Sequence, residues 1–223
     1  MTDHKPTATE RRAVITGLGV VAAGIGAVAA TSAQAQSAGF SPARHELDAW
    51  MDEIPGQHRV FIDTNTALGG AEALLFGTNI LNSHTNAYSG SDDEVAMIVC
   101  FRHYSTAFGF NDAIWDQYGA QLVNIMQYQG GDATPTSNPM NGGAGPNAGF
   151  SIGSLRDRGV QYAICENATG FFSRALAGAT GGVADDIYAQ LRANAIDNGR
   201  FVPAGVVAAT RAQEYGYSLL YAG

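Results

Sequence analysis

Apolar residues come in short continuous runs separated by polar, glycine-bearing stretches. Arg59–Asp63 (RVFID) and Glu94–Phe101 (EVAMIVCF) have hardly a polar interruption, the pattern of strands buried on both faces of a parallel sheet. Val160–Cys165 is a third such run, and Phe201–Ala204 a fourth that its Pro203 confines to the neighbourhood of an edge. Tyr217–Tyr221 supplies the last strand. Between the runs the period changes. Gly69–Leu81 carries Leu74, Leu75, Thr78 and Leu81 at helical spacing, followed by a polar loop with Asn82, Asn86 and Ser89. Helices are also expected over Phe108–Tyr118, Ser151–Arg158, Ala168–Ala177, Ala184–Ala195 and Val206–Tyr215. Ser41-Pro42 reads as the cap and first turn of a short helix, Ala43–Met51, closed by Pro55-Gly56. Strands alternating with helices predict an α/β fold: a mainly parallel sheet of about five strands with helices on both faces.

The first 35 residues fall outside this alternation. Glu10-Arg11-Arg12 leads into an uncharged run, Ala13–Ala30, and Ala33-Gln34-Ala35 has the small-x-small form of a signal-peptidase site. Residues 1–35 therefore read as a cleaved signal peptide, with the mature chain starting at Gln36. The run is just long enough to span a membrane, but it is rich in Ala and Gly and no basic stop-transfer cluster follows. The expectation is export without a stable membrane anchor. Paired arginines ahead of a weakly apolar segment resemble a twin-arginine signal, which exports folded proteins; an ordinary signal that happens to carry two arginines is the other reading. Residues 36–57 are then an N-terminal helical extension and 58–223 the α/β domain.

Charge narrows the chemistry. The chain has 12 basic and 20 acidic residues, which argues against a nucleic-acid partner. Removal of residues 1–35 takes away the only lysine, Lys5, so Schiff-base and P-loop chemistry have no amine to work with. The histidines show no H-x-x-x-H spacing and no C-x-x-C exists, so neither a zinc site nor a thioredoxin-type motif is expected. Residues 130–149 hold six Gly and three Pro; so long a connection reads as a lid or a mobile insertion.

Ligands of open parallel sheets bind beyond the carboxyl ends of the strands, where the crossovers diverge. This places Asp63-Thr64-Asn65, Cys100-Phe101-Arg102-His103, Cys165-Glu166-Asn167 and the Pro203 region among the candidates. Cys165 stands where a strand opens into a helix start, whose dipole and free N–H groups favour a thiolate; an inert buried thiol is the alternative. Arg102 offers a guanidinium for an oxyanion and His103 an imidazole for moving a proton. Cys100, inside an apolar run, reads as core, although a disulfide with Cys165 is open in an exported protein. For Asp63, Asp112 and Glu166, solvated or capping roles are expected.

Three segments carry a resemblance to a known family: the strand into Cys100-Phe101-Arg102-His103 with the following TAFGFNDAIWDQYG (Thr106–Gly119), GVQYAICENA (Gly159–Ala168), and EYGYSLLYA (Glu214–Ala222). Over residues 58–222 the chain resembles the DsrE/DsrF-like family of small sulfur-handling proteins. The resemblance implies flavodoxin-like layering, assembly into trimers or hexamers, and a cysteine after the third strand that accepts sulfur as a persulfide. Cys165 is the matching position. The insertion at 130–149 and the export signal depart from the family pattern. The expected function is thus a periplasmic sulfur carrier using Cys165, Arg102 and His103, with small sulfur donors and acceptors as partners. The alternative is a periplasmic binding protein without catalysis, in which Phe101, His103, Phe108, Trp115 and Tyr162 line a pocket, covered by the glycine-rich segment, for a small ligand such as haem or flavin.

Overall fold

The computed structural model describes residues 41–130, 134–142 and 149–223. The signal-peptide reading and the start at Gln36 lie outside the described residues, as do positions 131–133 and 143–148 of the glycine-rich segment. Five parallel strands, β1 (His58–Thr64), β2 (Val95–Phe101), β3 (Gln161–Cys165), β4 (Gly199–Val202) and β5 (Ser218–Ala222), form one sheet in the order β4-β3-β2-β1-β5. All seven residues of β2 are buried. That is why its sequence is a continuous apolar run rather than an alternating one.

Strand parity divides the core. Met97, Val99, Phe101, Tyr162 and Ile164 face one side of the sheet, and Ala96, Ile98, Cys100, Ala163 and Val202 face the other. The first side is covered by α2 (Ala67–Tyr88), α3 (Asp112–Met126), α5 (Glu166–Thr180) and α6 (Ala184–Ala193). The second is covered by α1 (Trp50–Glu53) and α7 (Gly205–Glu214). Connection direction accounts for the split. The chain steps from β1 to β4 in one direction across the sheet, then returns past them all to place β5 beside β1. Right-handed crossovers put helices on opposite faces when the winding reverses.

Several boundaries differ from those the sequence suggests. Helix α2 runs through Asn82 and Asn86, expected in a loop, and ends only where Ser89 turns left-handed (φ +57°). Its start is fixed by the Thr66 hydroxyl accepting from the Gly69 N–H at 2.8 Å. The helix expected at Ala43–Met51 is instead a 3-10 turn, Glu46–Asp48, capped by His45, followed by the single turn α1. Phe108 lies in a 3-10 segment, His103–Gly109, and the α-helix begins only after Asn111 caps it. A short helix, α4 (Ile152–Arg156), precedes β3.

Residues 134–142 are anchored. Asn138, 2 % exposed, donates from Nδ2 to the carbonyls of Phe108 and Phe110, both at 2.8 Å, and Met140 is fully buried. Gly119 of α3 sits directly against the Pro135 carbonyl, where a Cβ would have no room. This part of the expected lid is thus a structural strap on α3.

Arg158 grips Asp92 with Nε and Nη2, each at 2.8 Å, tying the entry of β2 to that of β3. The hydrogen bonds from Arg158 hold the Asp92 carboxyl below its ordinary value of 3.8. A depressed folded-state value means the stabilisation is present above the unfolded value and is lost as pH falls through the folded one. Asp92→Asn is therefore expected to melt lower than the unsubstituted protein at neutral pH, with the difference closing as pH drops below 3.8. Thermal melts across that range check it.

Candidate functional site

At the carboxyl end of the sheet, β3 leads into α5 on one face and its neighbour β4 leads into α7 on the other. Between two such diverging connections a crevice opens. It holds a pocket of about 430 Å³ walled by Cys165, Asn167, Ala168 and Phe171 from the β3 side and by Ala204, Gly205 and Val206 from the β4 side. Arg102, His103 and Tyr104, beyond β2, complete it. The three residues expected to carry chemistry are therefore brought to one cavity.

Cys165 is the N-cap of α5. Its Sγ accepts from the Ala168 N–H at 3.4 Å, and its side chain is nearly buried at the pocket wall. Thr169 anchors the same turn by donating its hydroxyl to the Cys165 carbonyl at 2.9 Å. The positive end of α5 and the N–H aimed at sulfur are groups that stabilise negative charge there. The first turn of α7 faces the same space without a side-chain cap.

Arg102 is already engaged. Its Nε and Nη2 donate to Oδ1 and Oδ2 of Asp63, each at 2.7 Å, in a two-pronged pair whose side chains are 19 % and 9 % exposed. The hydrogen bonds to Asp63 push the arginine above its ordinary range. Only Nη1 lacks a hydrogen-bond partner among the described residues. The guanidinium expected to seize an oxyanion is largely neutralised by a buried carboxylate, and Asp63 is a fixed ion-pair partner rather than a solvated or capping group. Backbone support comes from Ser105, whose hydroxyl donates to the Arg102 carbonyl at 2.7 Å and lies 2.7 Å from the Thr64 hydroxyl.

His103 is exposed at the pocket rim, its ring 4.1 Å from that of Tyr104. Its φ of +54° puts it in the left-handed region, uncommon for a residue with a Cβ and frequent at functional turns. Gly205 is required by close approach. A Cβ there would lie 2.5 Å from Cβ of Arg102 and 3.1 Å from Sγ of Cys100.

The two cysteines point to the same sheet face from neighbouring strands, but Cys100 pairs with Ala163, two positions before Cys165. Strand spacing and rise put their Cα atoms about 8 Å apart, beyond disulfide reach, and both thiols are free. Burial pushes the Cys100 thiol well above its ordinary range. It is core, as its sequence suggests.

The remaining candidates lie elsewhere. Glu166 accepts from the Tyr188 hydroxyl at 2.7 Å and pairs with Arg192 on α6, while Asp112 accepts from the Asn138 N–H at 2.9 Å. Of the residues expected to line a ligand pocket, Phe101, Phe108, Trp115 and Tyr162 are fully buried and packed on one another, Phe101 stacked on Tyr162 with centroids 5.7 Å apart. They fill the core on the α2 and α3 face and leave no space for haem or flavin there. Among the described residues no group of three His, Cys, Asp or Glu side chains is placed to hold a metal. The strand-end rule also points to the Pro203 region, and Ala204, Gly205 and Val206 just after it wall the pocket; Phe171, a turn into α5, is the wall residue that sequence reasoning missed.

No family model and no curated protein matches the chain. Among solved structures it is similar to a protein of unknown function, MTH1491 from Methanobacterium thermoautotrophicum, at 15 % identity and a TM-score of 0.38, over 74 % of this chain and 99 % of that one.

Proposed function

We propose that the protein carries sulfur on Cys165. What supports the reading is the position of this thiol at the wall of a pocket of about 430 Å³, at the point where the helical connections diverge, with an N–H directed at its sulfur. The Cys165 thiolate attacks the outer sulfur of a small persulfide, R–S–SH. A new S–S bond forms, the donor S–S bond breaks, and its electron pair leaves with RS⁻, which takes a proton from the His103 imidazolium. The product is Cys165–S–SH. An acceptor thiolate then attacks the outer sulfur and releases the Cys165 thiolate, so no oxidant or reductant is consumed. Arg102, held by Asp63, contributes a fixed wall and one remaining N–H-bearing nitrogen, Nη1. The arginine pair at Arg11-Arg12, the apolar run and Ala33-Gln34-Ala35 support work outside the cytoplasm, and the resemblance supports a homo-oligomer.

Incubation with a low-molecular-weight persulfide, followed by intact-mass measurement and peptide mapping, is expected to show one added sulfur atom, located at Cys165. The Cys100→Ser variant retains it and Cys165→Ser loses it. In native protein iodoacetamide is expected to label Cys165 and spare Cys100, whose thiol is buried and held protonated. Alkylation at Cys165 without sulfur uptake would refute the carrier role, and no reaction of any kind at Cys165 would refute its accessibility.

A further inference from the structure

The two edges of the sheet are built differently. At one edge, β4 has four residues, carries the exposed cation Arg200 and is followed at once by Pro203. A short strand with a charge and a proline is how natural sheets prevent edge pairing. At the other edge, β5 (SLLYA) contains no charge, no proline and no glycine. Leu219, Leu220 and Tyr221 are 45 %, 36 % and 52 % exposed, and Leu68, in the first turn of the helix lying on this strand, is 67 % exposed. One side of β5 pairs with β1; among the described residues no strand pairs with the other. Its outward N–H and C=O groups therefore have no ladder partner among the described residues.

We propose that the free edge of β5 pairs antiparallel with β5 of a second copy, about a two-fold axis through Leu220, joining two five-stranded sheets into one. The segment complements itself in this register. Leu220 meets Leu220, and Leu219 on each copy faces Tyr221 on the other, so each exposed apolar side chain of the strand lands opposite an apolar one, with no charge buried. A two-fold axis also places outward donors opposite outward acceptors, whichever residues of the strand carry them. Such an interface is isologous and closes on itself. A charged partner strand would find no counter-charge on β5, which favours a second copy over a different protein. The interface is independent of Cys165 chemistry, because β5 does not line the pocket.

Sedimentation velocity of the purified protein is expected to show a dimer, or a larger assembly with an even number of copies. Leu220→Lys places like charges opposite each other across the axis and is expected to halve the mass, with an unchanged circular dichroism spectrum because the side chain is exposed. Under mild oxidation L220C is expected to give a covalent dimer bridged between the two position-220 thiols. V183C, at a more exposed site on another part of the surface, 62 % against 36 % for Leu220, should not. A monomer, or an assembly whose mass Leu220→Lys leaves unchanged and in which L220C does not cross-link, would overturn the proposal.

Discussion

Asp63→Ala is expected to destabilise the protein by about 3–5 kcal/mol, the usual cost of removing one partner of a largely buried ion pair. The carboxylate is 9 % exposed and satisfies two guanidinium nitrogens at once, so its loss leaves Arg102 charged in a site that only partly admits water. Because Arg102 retains 19 % exposure, the lower part of that range is expected. Urea denaturation gives the number directly. Arg102→Met added to Asp63→Ala removes the stranded charge, and the double variant should recover most of the loss, since replacing both partners of such a pair by apolar groups is close to neutral. If the double variant is as unstable as the sum of the single ones, the pair is not what holds the β1 and β2 ends together.

Trp115→Ala is expected to cost a similar amount, about 3–5 kcal/mol, by a different mechanism. The indole is fully buried, lies parallel to Phe108 with ring centroids 6.0 Å apart, and donates its N–H to the Ala107 carbonyl at 3.1 Å. Truncation opens a cavity between α3 and the 3-10 segment that carries His103. The Ala107 carbonyl is not orphaned, because it also accepts from the Phe110 N–H at 3.2 Å. The cavity therefore dominates over the lost hydrogen bond. Trp115→Phe, which keeps an aromatic ring, should lose roughly 1–3 kcal/mol. Equal losses for the two variants in chemical denaturation would show that the indole N–H, rather than ring volume, carries the effect. Set against a total stability of about 5–15 kcal/mol for an ordinary domain, either alanine variant leaves little margin.

How much of this was legible in the sequence depends on the range of the interactions involved. Strands β1, β2 and β3 announce themselves because burial on both faces requires unbroken apolar runs, and Pro203 marks β4 as peripheral. The strand-end rule located Cys165, Arg102 and His103 in one cavity because it depends only on topology. What failed was either local geometry without periodicity or contact between distant segments. Asn82 and Asn86 look like loop residues, yet the helix carries them on its solvent-facing side until Ser89 stops it. The 3-10 segment after β2 has no hydrophobic period to betray it, and so Phe108 was expected in an α-helix. The pairing of Asp63 with Arg102 requires the β1–β2 register, which sets Asp63 beside Cys100. The α7 wall of the pocket requires knowing that the chain reverses direction after β4.

That reversal also makes the sheet depend on pairing between the two ends of the domain. The strand beside β1 on its far side comes from residues 218–222, and the Ser218 hydroxyl donates to a carbonyl 159 residues earlier, at Arg59. Pairing over such separations is slow, because loop closure must precede the contacts that stabilise it. Without β5, β1 would itself be an open edge. The sheet is thus closed on that side by its most distant strand in sequence, and α7, which walls the pocket, is the segment that leads the chain back across the second face to reach it.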